Sequence, residues 1–139
     1  MTSCYERPTV LLADDHEGIL ARVMGILADD YLVLAAVNDG RKAVQAALDV
    51  NPDVIILDIA MPVLNGLEAA RQIRRADVRA KLIFLSIQDD EEYIDEALAM
   101  CASYVLKPRM SVDLPEAMRQ ALAGQVFTSQ LWPTTSTSM

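Results

Sequence analysis

The stretch TVLLADDHEG (residues 9–18) joins two features that decide the fold. An apolar run of strand length ends in two adjacent carboxylates, Asp14 and Asp15, and a helix-period segment follows at once. The same grammar recurs along the chain. The apolar runs are TVLLA (9–13), YLVLAAV (31–37), VIILD (54–58), KLIFLS (81–86) and YVLK (104–107). Three are almost unbroken in apolar character, as expected for strands covered on both faces of a parallel sheet.

Each interval between runs carries one apolar stripe at helical spacing. The stripes are Leu20, Val23, Ile26 and Leu27; Ala43, Val44, Ala47 and Leu48; Leu67, Ala70 and Ile73; Ile94, Ala97, Leu98 and Cys101; and Leu114, Met118, Ala121 and Leu122. They are expected to be core. Punctuation agrees with five helices. Asn51-Pro52 stops the second, because proline disfavours helix in the residue before it. Asn65-Gly66 turns the chain into the third. Asp113 with Glu116 has the spacing of a capping box for the fifth, and Gly124 follows its end. Five strand–helix units result. Right-handed crossovers place their helices on both faces of one parallel sheet. The expected domain is 9–124, with an N-terminal extension 1–8 and a Ser/Thr-rich C-terminal linker or tail 125–139, expected to be partly disordered. There is no internal repeat and no sign of a second domain.

Composition narrows the function classes. The chain has 139 residues, 53% hydrophobic and 23% charged, with a net charge of −8. Such a chain repels nucleic acid phosphates and has no basic stripe, so direct nucleic acid binding by this chain is not expected. The apolar runs are too short to span a bilayer and no secretory pattern opens the chain, so a cytoplasmic protein is expected. With Cys4, Cys101 and the single His16, a zinc site is not expected. The acidic run DDEEYIDE (89–96) reads as solvated surface with a helix start.

In an open parallel sheet, the carboxyl ends of the strands surround the ligand crevice. The residues at those ends are Asp14 and Asp15, Asp58, Ser86 and Lys107. Each alone has an ordinary explanation. The Asp pair could cap the first helix, Asp58 could be a turn residue, Lys107 a surface lysine, and Ser86 a buried strand-end serine. All of them on one edge suggest a site. Three carboxylates and one ammonium leave two negative charges, which a divalent hard cation would cancel; oxygen ligands with room for water suit Mg²⁺. A spare carboxylate beside a metal, a hydroxyl and a lysine suits phosphoryl chemistry through an acyl phosphate.

The motifs ADDHE, VIILDIAMPVLNGLEA, IFLSIQDDEEYIDEAL and YVLKP resemble the receiver domain of bacterial response regulators, over residues 8 to about 124. The resemblance is closest to receivers joined to a helix-turn-helix output domain (LuxR/NarL-like). It implies a flavodoxin-like α/β fold with strand order 2-1-3-4-5. It implies that Asp58 is the phosphoacceptor, that Asp15 binds Mg²⁺ directly and Asp14 through water, and that the backbone carbonyl of Ala60 and the Asp58 carboxylate complete the protein's ligands. Ser86 would bond the phosphoryl group, Lys107 would pair with it, Tyr104 would be the switch aromatic, and the Lys107–Pro108 peptide would be cis. The family usually writes Gly-Ala-x-Gly before that aromatic; here CAS (101–103) stands there, one residue shorter and without glycine. The implied partner is a sensor histidine kinase or a phosphotransfer protein, and a homodimer is allowed. Such a protein is not an enzyme acting on a separate substrate, although it catalyses its own phosphorylation and dephosphorylation. The implied output is a change in the surface of the fourth helix, fifth strand and fifth helix that controls transcription.

Two other readings compete with this one. One is a receiver-like module that binds partners without phosphorylation. The other is an aspartyl-phosphate phosphatase of the haloacid-dehalogenase type. That class needs an acid two residues after the nucleophile, and Ala60 cannot transfer a proton. His16 as a phosphohistidine is set against an ordinary exposed residue at a helix start.

Overall fold

The computed structural model describes residues 7–87 and 90–129. Five strands alternate with five helices: β1 (Thr9–Ala13), α1 (Glu17–Leu27), β2 (Leu32–Val37), α2 (Gly40–Val50), β3 (Val54–Leu57), α3 (Gly66–Arg75), β4 (Lys81–Ser86), α4 (Glu91–Ala99), β5 (Ser103–Leu106) and α5 (Met110–Leu122). The strands form one parallel sheet in the order β2-β1-β3-β4-β5. This is the flavodoxin-like arrangement expected from the sequence.

The sheet divides the core in two. Leu11, Ile55, Leu57, Leu82, Phe84 and Tyr104 face α2, α3 and α4. Val10, Leu12, Ile56, Ile83, Leu85 and Val105 face α1 and α5. Central β3 is buried at all four positions because both of its faces are covered, at about 1.5–3 kcal/mol for each large side chain buried. β2 lies on the edge and alternates between exposed and half-buried, with Leu32 and Leu34 among its exposed residues. The stripes are core except at their margins: Leu48, Leu98, Cys101 and Leu122 remain exposed. Leu48 lies one residue, about 100° of helix, past the buried Ala47.

Several local expectations are corrected. Asp113 does not cap α5. The turn Lys107–Arg109 is a 3₁₀ turn that runs straight into the helix, so α5 begins at Met110. Asp113 therefore sits inside the helix, buried, with Arg109 and Ser129 as partners. The Lys107–Pro108 peptide is trans, since the described residues contain no cis peptide; the proline occupies the first turn of the 3₁₀ segment, where its missing N–H costs nothing. Asn65 does cap α3, its side chain accepting from the Glu68 N–H at 2.9 Å. The turn before β5 is closed by Cys101 in the left-handed region (φ 58°), without a glycine.

The segment beyond Gly124 adds a feature that the helix pattern does not show. Paired backbone continues to Ser129 rather than stopping at the helix end. Thr128 bridges Tyr104 in parallel, so residues 127–129 lie along the outer edge of β5. Phe127 packs against the α1–α5 side of the core. Residues 1–6 and 130–139, with Cys4, the outer parts of the expected extension and tail, and Asp89 of the acidic run, lie outside the described residues.

Candidate functional site

The site grows from strand ends in register. Backbone pairing continues one residue past β1 and β3: the Asp14 N–H donates to Val37 O at 3.0 Å and the Asp58 N–H to Ala13 O at 2.9 Å. The two carboxylates are thus fixed by the sheet itself. β5 ends at Leu106 and delivers Lys107 at the same edge. The Lys107 ammonium lies 2.9 Å from Asp14 Oδ2 and 3.4 Å from Asp58 Oδ2. All three side chains are at least nine-tenths buried. Asp15 is exposed beside them, and Ser86 is fully buried at the end of β4.

Two glycines bring the neighbouring helices close. A Cβ on Gly66 would lie 2.0 Å from the Asp58 carbonyl oxygen. Only glycine lets the start of α3 close over the Asp58 backbone, where the Gly66 N–H donates to Ile59 O at 2.8 Å. A Cβ on Gly40 would meet Leu64 O at 1.8 Å, so the loop between β3 and α3 is also pressed against the start of α2. Within that loop the Leu64 N–H donates to Pro62 O at 2.7 Å, a γ-turn centred on Val63 at φ 71°. A β-branched residue there is strained. The strain lies five residues from Asp58, in the segment that sets its position.

Electrostatics follow from this packing. Burial first, then the nearby Asp14 charge, push the Asp58 carboxyl up to about 6; Lys107 and the Ala60 backbone N–H oppose the rise. A carboxyl raised in the folded state binds its proton more tightly there than in the unfolded chain. Its contribution to stability is therefore greatest at low pH and is lost as pH climbs from about 4 through about 6. In chelator, Asp58→Asn is expected to gain stability relative to the parent across that window and keep the gain above it. Urea titrations at pH 4 and pH 7.5 check this; a difference independent of pH would contradict it.

The carboxylates can hold a cation. Asp14, Asp15 and Asp58 each offer an oxygen within 4.8 Å of the others. Asp14 Oδ2 is buried and faces the ammonium without the alignment of a hydrogen bond, so it retains acceptor capacity. Hard oxygen donors of this kind fit Mg²⁺. An open pocket of about 420 Å³ leads to the cluster, lined by Asp15, Asp58, Ala60, Ser86, Lys107 and the apolar Ile87 among others. His16 stands at its rim as an exposed residue at the start of α1, its N–H donating to Asp14 Oδ1 at 2.9 Å. Tyr104 is not at the surface. Its ring is fully buried 6.5 Å from that of Phe84.

Residues 10–119 match the response regulator receiver domain family. The chain belongs to that family. Among curated relatives, this receiver is 33% identical over 131 residues to the nitrate/nitrite response regulator protein NarL of Escherichia coli, covering 92% of this chain and 61% of that one. It is 37% identical over 121 residues to the transcriptional regulatory protein DegU of Brevibacillus brevis, covering 85% and 51% respectively. The receiver thus spans between half and two thirds of these relatives. Among solved structures it superposes on a LuxR-family two-component response regulator from Aurantimonas sp. with a TM-score of 0.81 at 26% identity, covering 88% of this chain and 89% of that one. The receivers it resembles belong to two-component signalling and transcription regulation. No described helix is long and apolar enough to cross a membrane.

The strand-end residues named from sequence therefore converge. Sequence reasoning missed Gly40, the strained loop at Val63, and the contacts of Ser129. The two glycines matter because atoms distant in sequence approach them, which no local pattern shows.

Proposed function

We propose that this receiver accepts a phosphoryl group on Asp58 from a sensor histidine kinase or phosphotransfer protein, and that the change controls transcription through an attached or separate output partner in the cytoplasm. One observation carries the reading: a buried lysine shared by Asp14 and Asp58 at the floor of an open pocket, beside a third carboxylate. An Asp58 oxygen attacks phosphorus in line with the donor bond. That bond breaks, and the donor leaves with the electron pair. Lys107 holds the charge that gathers on the phosphoryl oxygens, and Ser86 donates a hydrogen bond to one of them. Asp14, Asp15, Asp58 and the Ala60 carbonyl would hold Mg²⁺, which when bound neutralises phosphoryl charge and aligns the donor. Water entering the same pocket later hydrolyses the acyl phosphate.

The transfer adds roughly one negative charge and several acceptor oxygens. Ser86 shifts toward them, and the packing around Tyr104 responds, altering the surface of α4, β5 and α5 for a partner or a second copy. The phosphatase alternative fares worse, because Ala60 offers only a methyl group where a proton donor is required.

Incubation with acetyl phosphate and Mg²⁺, followed by intact mass measurement, should add a single phosphoryl group. A chain that takes none under any donor would instead be a phosphorylation-independent interaction module. The metal has its own check. Mg²⁺ at about 100 times its dissociation constant should add roughly 2.7 kcal/mol to the native state. That corresponds to a rise in Tm of roughly 10 °C. Asp15→Asn should lose most of this gain, yet melt higher than the parent in chelator because one repelling charge is gone. A Tm indifferent to Mg²⁺ would remove the metal from the scheme.

A further inference from the structure

Residues 127–129 are fastened to β5 and α5 by more than one bridge. The Tyr104 N–H donates to Phe127 O at 2.8 Å, and the Ser129 N–H donates to Tyr104 O at 2.9 Å. Serine hydroxyls finish both ends of this short ladder. The Phe127 N–H donates to Ser103 Oγ at 2.9 Å, and the Leu106 N–H donates to Ser129 Oγ at 3.0 Å. Ser129 Oγ in turn donates to Asp113 Oδ2 at 2.7 Å, and Arg109 Nε donates to the same oxygen at 2.8 Å. Ser129 and Asp113 are both buried. Burial alone would push the Asp113 carboxyl up; the hydrogen bonds from Arg109 and Ser129 and the Arg109 charge outweigh it and hold it below the usual carboxylate range.

The position of this hydroxyl is informative. Ser129 Oγ grips the amide of Leu106, the residue before Lys107, and a carboxylate held by Arg109, two residues after Lys107. It brackets Lys107 along the chain. Lys107 is also the residue whose ammonium touches Asp14 and Asp58. Hydrogen bonds tolerate displacements of only a few tenths of an ångström before weakening. A shift of the Lys107 backbone must therefore disturb the contacts of Ser129.

We infer that residues 127–129 form a latch on the β5 edge, read by Ser129, whose hold depends on the state of Asp58. This rests on Asp58 being the phosphoacceptor. With free carboxylates, Lys107 bridges Asp14 and Asp58 and the latch is closed. A phosphoryl group on Asp58 reaches into the open pocket and draws the ammonium off Asp14. The 3₁₀ turn follows, Arg109 and the Leu106 amide move relative to Ser129, and the strand loosens. The backbone leaving Ser129 then carries the signal onward, so output passes through the chain's own continuation as well as through a docked partner. Linkage makes the effect reciprocal: a weakened latch favours the phosphorylated state.

Amide hydrogen exchange by NMR, with acetyl phosphate and Mg²⁺ maintained throughout, tests the latch. In the parent, the amides of Tyr104, Leu106 and Ser129 should exchange at least about tenfold faster once phosphorylated, while Leu11 and Leu12 of β1 stay unchanged. Mg²⁺ alone should leave all of them protected. Ser129→Ala should show fast exchange at Leu106 before any phosphorylation and less than about a twofold further increase after it. Asp113→Asn, which keeps the side-chain volume, serves the same purpose if the alanine variant does not fold. Intact mass on the same samples separates the two failures. Without label, the phosphoacceptor reading falls and the latch with it. Full label with unchanged or slower exchange at these three amides overturns the latch alone, as does loosening by Mg²⁺ in the absence of phosphate.

Discussion

Asp58→Asn is expected to bring labelling by acetyl phosphate and Mg²⁺ down to background, measured as intact mass after short incubation. The amide keeps the shape of the side chain and loses the anionic oxygen that attacks phosphorus. The neighbouring carboxylates do not substitute for it. Asp14 is buried against Lys107 and is not among the residues lining the pocket, and Asp15 projects from the loop that precedes α1. Loss of fold does not explain the expected result, since removing this buried, repelled carboxylate should stabilise the metal-free protein at neutral pH. Undiminished labelling in the variant would move the phosphoacceptor elsewhere.

Gly66→Ala should damage both fold and chemistry, although Gly66 carries no functional group. The added carbon would sit 2.0 Å from the Asp58 carbonyl oxygen and 3.0 Å from Ile59 Cα, backbone atoms that cannot swing aside. Either α3 lifts or the Asp58 backbone moves. Overpacking of this kind costs about 1–3 kcal/mol. In a chain of this size that is a fall in Tm of roughly 4–12 °C. The Asp58–Lys107 distance should change with it, slowing phosphorylation even at temperatures where the variant is fully folded. Gly25→Ala is the matched control, because a Cβ there has nothing within 4 Å. Equal effects at the two glycines would mean that helix propensity, not contact with Asp58, governs position 66.

The strand-end residues were legible because the sheet imposes one rule on all of them. An apolar run that ends in Asp14, Asp58, Ser86 or Lys107 places that residue on the same edge, whatever the details of the loops. Stripe margins were less legible, because Leu48 and Leu98 satisfy the helical period yet lie too far round the helix to reach the sheet. Asp113 was misread for a related reason. The Asp-x-x-Glu spacing is a local signal that implies a helix starting at Leu114, whereas the Lys107–Arg109 turn leads into α5 at Met110, four residues earlier. Residues 127–129 were illegible altogether. One bridge gives no alternation to detect, and the bonds that hold it come from Ser103, Tyr104, Leu106 and Asp113, at least 16 residues distant.

The sheet has two edges of unequal character. On the β2 side, Leu32 and Leu34 are exposed along an edge strand that no described strand joins. On the β5 side, residues 127–129 occupy the backbone groups of Tyr104 and close that edge against strand addition by other molecules. A chain cut after Gly124, the boundary that the helix pattern suggests, would keep all five helices and expose a second bare edge. Such a fragment would be prone to self-association at both margins of its sheet, and its solubility would misrepresent the intact domain. Recombinant boundaries for this receiver therefore belong after Ser129.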